Sequence, residues 1–373
     1  MSKRTTRRTK TVSAHEQRIR RLKKIISEKG ADAALVTRER DVAYLTGFLG
    51  GDSVLLVPTR GKPVFVSDRR YEEDLQAFRH LATIQMRSGA MNPHLGGMIK
   101  DRGYDTVIVQ SEDLSMAAFE SLAKAATKRR LAPEAGLLTE MRIIKDASEI
   151  GGIRAAIRLQ EAAMLSTLEN IGPGMTELEI CAWLEWEMKT RGASGPAFGT
   201  IVGAKASGSL PHYMPGDVTT AKNTSLLIDW GAELNGYRGD MTRVFAFGRW
   251  PKEIREIYSI VLDAHEKAAA AIRPGVTNRE LDSIARQHIA EHGYGDEFSH
   301  SLGHGIGLET HEAPGLSQLA PEIEMRPGMV ITIEPGVYLP GIGGVRIEDD
   351  YAVTERGRRN LSSLPKDLDF ATL

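Results

Sequence analysis

The chain has a single cysteine, Cys181, in 373 residues. One thiol excludes an intramolecular disulfide and a thiolate metal cluster, and it fits a reducing compartment. Cys181 lies within the helix-like stretch ELEICAWLEWEMKTRG, where a small buried hydrophobe describes it better than a nucleophile. An excess of charge is missing as well: 48 Lys and Arg face 49 Asp and Glu, a formal net charge of −1. That balance offers no electrostatic case for nucleic acid or a membrane surface as a partner. No apolar run approaches the ~20 residues of a membrane span, and no signal-peptide core follows the start. A cytoplasmic protein is the expectation.

Hydrophobic residues make up 41% of the chain, ample for a core, and the length favours two domains. The first 24 residues, MSKRTTRRTKTVSAHEQRIRRLKK, contain one acid, Glu16. Residues 1–15 read as a solvated basic tail leading into a helix with Ile19, Leu22, Ile25 and Ile26 as its buried stripe. Residues 16–140 form the first domain. There DAALVT, SVLLVPT, KPVFVSD and DTVIVQS read as strands and SMAAFESLAKAATKRR as a helix, an α/β unit. It holds no cluster of carboxylates or histidines, and ERDVAYLTGF and SDRRYEEDL read as binding or packing elements at most.

The remainder, 141–373, contains an internal repeat. IGPGMTELEI at 171–180 matches IRPGVTNREL at 272–281. Each ends a helix at Pro-Gly and starts another with a capping box, Thr176 with Glu179 and Thr277 with Glu280. A second pair follows in the same order: LLIDWGA with Asp229 and TIEPGV with Glu334, apolar strands that each end in an acid. After a Gly-containing turn each half supplies another carboxylate, Asp240 in GYRGDMTRVF and Glu348 in GGVRIEDDY. Facing halves would gather four carboxylates. Ionised together they repel, and two divalent cations would neutralise them. A set of oxygen donors with one imidazole suits Mn²⁺, Co²⁺ or Zn²⁺.

The imidazole is sought in HSLGHGIGLETH, residues 300–311, which holds three of the ten histidines. His300 and His304 have the spacing of a helical zinc motif, but Gly303, Gly305 and Gly307 argue against a helix, each costing about 1 kcal/mol against Ala. Extended backbone passing close to another group is the better reading. Strand parity puts Arg346 and Asp350 on the face of Glu348, Thr242 on that of Asp240, and Thr332 on that of Glu334. Arg346 would counter excess negative charge or a substrate carboxylate, the threonines would orient the acids, and Asp350 is a substitute for Glu348.

The order Asp229, Asp240, His304, Glu334, Glu348, with DWGAELNGYRGDMTR, GHGIGLETHE, IEPGVY and VRIEDD, resembles the dinuclear-metal peptidases of the pita-bread fold. Aminopeptidase P and prolidase belong there, with methionine aminopeptidase and creatinase as relatives. YLTGF and SDRRY in the first domain are similar to the smaller domain of aminopeptidase P, prolidase and creatinase, which methionine aminopeptidase lacks. The resemblance implies an α+β protein: a duplicated, pseudo-two-fold pita-bread catalytic domain after a creatinase-like α/β domain. It implies metal ligands Asp229, Asp240, His304, Glu334 and Glu348, with Asp240 and Glu348 bridging two ions, Mn²⁺ first and Co²⁺ or Zn²⁺ as alternatives. A bridging hydroxide would attack an Xaa-Pro bond, with Glu334 passing its proton to the proline nitrogen. His212 and His311 match histidines at the scissile carbonyl, His300 one toward the proline, and Arg346 an arginine of the substrate pocket. The implied protein is a homodimer acting on proline-containing peptides, as Xaa-Pro aminopeptidase or dipeptidase. Creatinase keeps the fold without the five ligands; all five are present here. The alternatives are a hydrolase or lyase of the same fold acting on a small non-peptide substrate, and an interaction protein using the basic tail.

Overall fold

The computed structural model describes residues 12–373; the basic tail before Val12 lies outside the described residues. The chain divides into two compact units between Met141 and Arg142.

In the first unit, helix α1 (Ala14–Glu28) opens on a capping box between Ser13 and Glu16. Ile19, Leu22 and Ile26 are buried as the periodicity predicts, but Ile25 is only half-buried. Arg18 takes the remaining inward place: its guanidinium lies 4.3 Å from the Tyr44 ring centre and donates to the Tyr44 carbonyl. A long apolar stem with a satisfied head can occupy a core position that sequence periodicity reserves for a hydrophobe.

The four apolar runs are strands β1 (Ala33–Val36), β2 (Val54–Pro58), β3 (Val64–Ser67) and, after β4 (Thr83–Met86), β5 (Thr106–Gln110); β6 (Arg130–Glu134) completes the sheet. Its order is β4-β3-β2-β1-β5-β6, mixed parallel and antiparallel. Between strands lie α2 (Glu39–Thr46), α3 (Met91–Asp101) and α4 (Met116–Ala126). Leu95, Ile99 and Leu122 from the last two helices pack on Leu35, Val107 and Val109. ERDVAYLTGF is the buried α2, stopped by Gly47 in the left-handed region at φ 83°. The predicted helix at 115–130 stops four residues early, because Thr127 and Lys128 turn to positive φ and Arg130 begins β6.

One helical turn, α5 (Thr139–Arg142), runs across the division in the chain. The first half of the second unit has α6 (Ala147–Leu168), α7 (Glu177–Thr190), β7 (Gly195–Pro196), β8 (Ile201–Ala204), β9 (Ser225–Trp230), β10 (Ala232–Leu234), β11 (Tyr237–Arg238) and β12 (Met241–Ala246). The second half has α8 (Lys252–Ala271), α9 (Asn278–Glu291), β13 (Gly303–Gly305), β14 (Glu312–Leu316), β15 (Val330–Ile333), β16 (Gly336–Leu339), β17 (Gly343–Arg346), β18 (Asp349–Thr354) and β19 (Gly357–Asn360). Both repeated Thr-x-x-Glu segments form complete capping boxes, at α7 and α9. Each half thus runs from a helix pair into antiparallel sheet, β12-β9-β8 in one and β14-β13-β15-β18-β19 in the other. One apolar core joins them, from Trp230 and Phe245 through Tyr258 to Ile331 and Tyr351. The C-terminal segment returns to the first half, where Thr372 bridges Ala246. Among the described residues no helix is long and apolar enough to cross a membrane.

Candidate metal centre

The GHG stretch is extended, as its glycines suggest: β13 lies between β14 and β15. A Cβ at Gly303 would fall 2.3 Å from the Thr332 carbonyl oxygen, and one at Gly305 2.3 Å from that of Ala313. Only glycine permits this approach. Asp229 sits near the end of β9, Asp240 just before β12, Glu334 just after β15 and Glu348 just before β18. These strand ends converge on one cleft of about 660 Å³. It is lined by Asp229, Asp240, His304, Glu334 and Glu348, and also by His212, His300, His311 and Arg346, so the five expected metal ligands and the four expected substrate residues share it.

Asp229, Asp240 and Glu348 are buried at its floor, Glu334 is half-buried beside them, and one guanidinium lies among the four acids. Arg346 donates to Asp229 Oδ2, through Nε to Thr242 Oγ1 at 3.0 Å, and through Nη1 to the Tyr338 hydroxyl at 2.6 Å. Thr242 donates to Glu348 Oε2 at 2.7 Å; it holds Glu348 across the strands instead of Asp240, its expected partner by parity. Thr332 does serve the acid on its own face, donating to Glu334 Oε1 at 3.2 Å. Asp350 turns aside: its Oδ2 accepts the Asp240 backbone N–H at 3.2 Å, and burial pushes its carboxyl up to about 8. Asp240, His304 and Glu348 place ligand atoms within 4.8 Å of one another.

Whether this set fits divalent cations is decided by its unsatisfied atoms. Asp229 Oδ1 and Glu348 Oε1 are buried without a hydrogen-bond partner, a costly state for an acceptor unless a cation meets it. Burial, and then the charge of neighbouring acids, raises Asp240 and Glu348 well above the carboxylate range. Burial also raises Asp229 despite Arg346. For Glu334 burial is outweighed by the hydrogen bond and charge of His304 and the charge of Arg346, and its carboxyl is held low. His304 Nδ1 faces the Gly305 carbonyl at 3.1 Å, while Nε2 points at Glu334 (3.2 Å) and Asp240 (3.6 Å). Burial lowers this imidazole, but Glu334 and the Gly305 carbonyl overcome it and raise it. An Nε2 aimed at two carboxylates calls for a positive charge between them. The donor set therefore fits.

The remaining histidines differ. His300 is half-buried, with Nδ1 on the Ser301 carbonyl and Nε2 on the Tyr338 hydroxyl, both at 2.8–2.9 Å. Both nitrogens are engaged, so the ring is a wall of the cleft. His311 is exposed at the rim, its ring centre 4.2 Å from that of His304; burial and then His304 lower it. His212 is exposed on the loop after β8. Tyr338 was not singled out in the sequence, although it closes IEPGVY; it is buried, and burial pushes its hydroxyl up to about 12. Phe198 and Thr310 also line the cleft unforeseen. Cys181 is half-buried away from it, its thiol pushed up to about 12 by burial and Glu185.

Residues 151–355 match the metallopeptidase family M24 and residues 18–144 the creatinase/prolidase N-terminal domain. The chain belongs to metallopeptidase family M24. An Xaa-Pro dipeptidase from Pyrococcus horikoshii is 36% identical over 94% of this chain and 98% of its own length. Among solved structures, an Xaa-Pro dipeptidase from Bacillus anthracis superposes with a TM-score of 0.91 at 35% identity, over 96% of this chain and 100% of that one. An X-Pro aminopeptidase from Thermotoga maritima gives 0.86 at 35% identity, over 93% and 99%. The M24 chain thus combines a pita-bread domain with a creatinase-type N-terminal domain, and its chemistry is metal-dependent peptide hydrolysis.

Proposed function

We propose that this M24 peptidase hydrolyses the bond between an N-terminal residue and proline, as an Xaa-Pro dipeptidase or Xaa-Pro aminopeptidase. The observation that carries the reading is the convergence of four carboxylates, three of them buried, and His304 Nε2 at the floor of one cleft, with two oxygens unsatisfied. Two divalent ions, Mn²⁺ first and Co²⁺ or Zn²⁺ otherwise, would be held by Asp229, Asp240, His304, Glu334 and Glu348, with Asp240 and Glu348 shared. Bound there, they supply a Lewis acid for the carbonyl and lower the pKa of water to the working range.

The chain's own residues account for the rest. Glu334 accepts the proton released as water adds to the carbonyl carbon and passes it to the departing proline nitrogen. His212 and His311 donate N–H groups to the developing oxyanion. The His300 ring, fixed by Tyr338, offers a flat wall to the pyrrolidine. Arg346 balances the acids and fixes Asp229. Proline brings no N–H, so a pocket that suits it presents ring surface at that nitrogen and no waiting acceptor. The lone thiol suits a reducing, cytoplasmic compartment, and a homodimer is what the resemblance to prolidase and aminopeptidase P implies.

The test is kcat/KM for paired Xaa-Pro and Xaa-Ala peptides with Mn²⁺ or Co²⁺ supplied, in dipeptide and longer forms. We expect the Ala peptides to be poor, since they lose ring contacts and bury an unpaired N–H. Equal values would indicate a general aminopeptidase, and turnover of neither would favour a non-peptide substrate.

A further inference from the structure

The repeated helices α7 and α9 begin with residues that differ, Glu177 and Asn278, yet both side chains are fully buried at 0% exposure. First-turn side chains ordinarily reach solvent, and a buried polar group is costly unless every bond is made. Here all are made, to two loops that line the cleft. Glu177 accepts from the backbone N–H groups of Ala204 (2.8 Å) and Gly216 (3.1 Å) and from the Tyr213 hydroxyl (2.8 Å). It therefore spans both ends of the loop that carries Pro211 and His212 to the cleft. Asn278 donates to the carbonyls of Gly315 (2.7 Å) and Pro321 (3.0 Å) and accepts from the Ile323 N–H (2.9 Å). It spans the loop that carries Ser317, Leu319 and Ala320 to the cleft.

The backbone repeats the arrangement. Thr176 bridges Thr219 as Thr277 bridges Glu324. Glu177 N–H donates to Val218 as Asn278 N–H donates to Ile323, both at 3.0 Å. What varies is the polarity of each loop base. One presents only donors and meets a carboxylate; the other presents two carbonyls and one N–H and meets an amide. An interaction of the acid with the helix dipole cannot explain the pair, because Asn278 is neutral.

We propose that Glu177 and Asn278 are matched positioning residues, each clasping one lip of the cleft: Glu177 sets the place of His212, and Asn278 that of the Ser317–Ala320 wall. The roles rest on the proposed reaction; the clasps do not. Leu319, 95% exposed at the loop tip, is then an apolar group held in place for substrate.

The clasps are tested in the metal-loaded full chain with Glu177→Gln, Asn278→Asp and Tyr213→Phe, each of which mismatches or removes bonds without changing shape much. In Glu177→Gln an NH₂ faces an N–H; in Asn278→Asp an oxygen faces two carbonyls. Chymotrypsin should cut several-fold faster after Tyr213 in Glu177→Gln, and after Leu319 in Asn278→Asp, each leaving the other loop at the parent rate. With Xaa-Pro peptides, Glu177→Gln should lose on the order of ten-fold or more in kcat with KM nearly unchanged, as a misplaced group at the reacting carbonyl does. Asn278→Asp should chiefly raise KM. Metal content should stay at the parent value in both. Loops that loosen together, or neither loosening, or metal lost along with activity, would overturn the proposal. Tyr213→Phe removes one bond of three and decides the matter if the other variants do not fold: an unchanged cutting rate there counts against the clasp. If the parent cleaves no Xaa-Pro peptide, the proposed function fails while the proteolysis still judges the clasps.

Discussion

His304 and His311 stand with ring centres 4.2 Å apart, yet their surroundings assign them different work. The Gly305 carbonyl holds His304 Nδ1, leaving Nε2 to the carboxylates, whereas His311 opens to the cleft at its rim. His304→Ala should therefore lose metal affinity, measured by elemental analysis and metal titration. His212→Ala and His311→Ala should keep their metal and lose kcat by on the order of 10²–10³, the range for a donor to developing charge. Metal loss in His311→Ala would reverse the assignment. At this scale the acids were readable, because each follows or precedes an apolar strand where an unpaired carboxylate has no business unless it is used. Tyr338 was not. Nothing marks a tyrosine in EPGVY until the β16–β17 hairpin brings Arg346 back beside it. The partner of Thr242 was missed for a similar reason: parity describes one strand, and the Glu348 carboxylate arrives from another.

Among the elements, helix starts were the most legible, since a capping box is a local pattern with a local cause. Glu179 shows what that cause implies for pH. The Thr176 backbone N–H and then its hydroxyl lower the Glu179 carboxyl below the ordinary glutamate value. A carboxylate held low in the folded state contributes stability above its unfolded pKa and loses it as pH falls through the folded value. Urea midpoints of parent and Glu179→Gln should therefore differ near neutral pH and draw together as pH falls below the ordinary glutamate value. A gap that persists in acid would assign the effect to packing. Thr176→Ala should cost about 1 kcal/mol at neutral pH. Central strands were legible too, because burial on both faces makes them apolar runs. The edge strands were not. β4 is half-exposed, and β6 includes Pro133, tolerated at an edge whose outer side asks for no donor. Both look like loop in sequence.

At the scale of the whole molecule, the duplicated halves meet over charge that neither can carry alone. Cations that bind the folded centre and not the unfolded chain add stability by mass action, about 2.7 kcal/mol at a hundred-fold excess over Kd. Chelation should thus lower Tm as well as abolish hydrolysis, and Mn²⁺ should restore both; a Tm indifferent to chelator would count against the buried centre. Elemental analysis should find two ions per chain, and Asp240→Ala should lose both. A single ion in fully active protein would refute the shared-ligand arrangement.

Asp229 and Asp240 precede the exposed turn at Gly248–Arg249, while His304, Glu334 and Glu348 follow it. Each side of that turn is thus half of a lock. If the chain were cut there, neither fragment would own a complete set of ligands, although Thr372 would still seek its place beside Ala246 of the other fragment. The bound ion would then serve as a gauge of complementation. Co-expressed fragments should regain two metals only when they dock, and each fragment alone should hold none tightly.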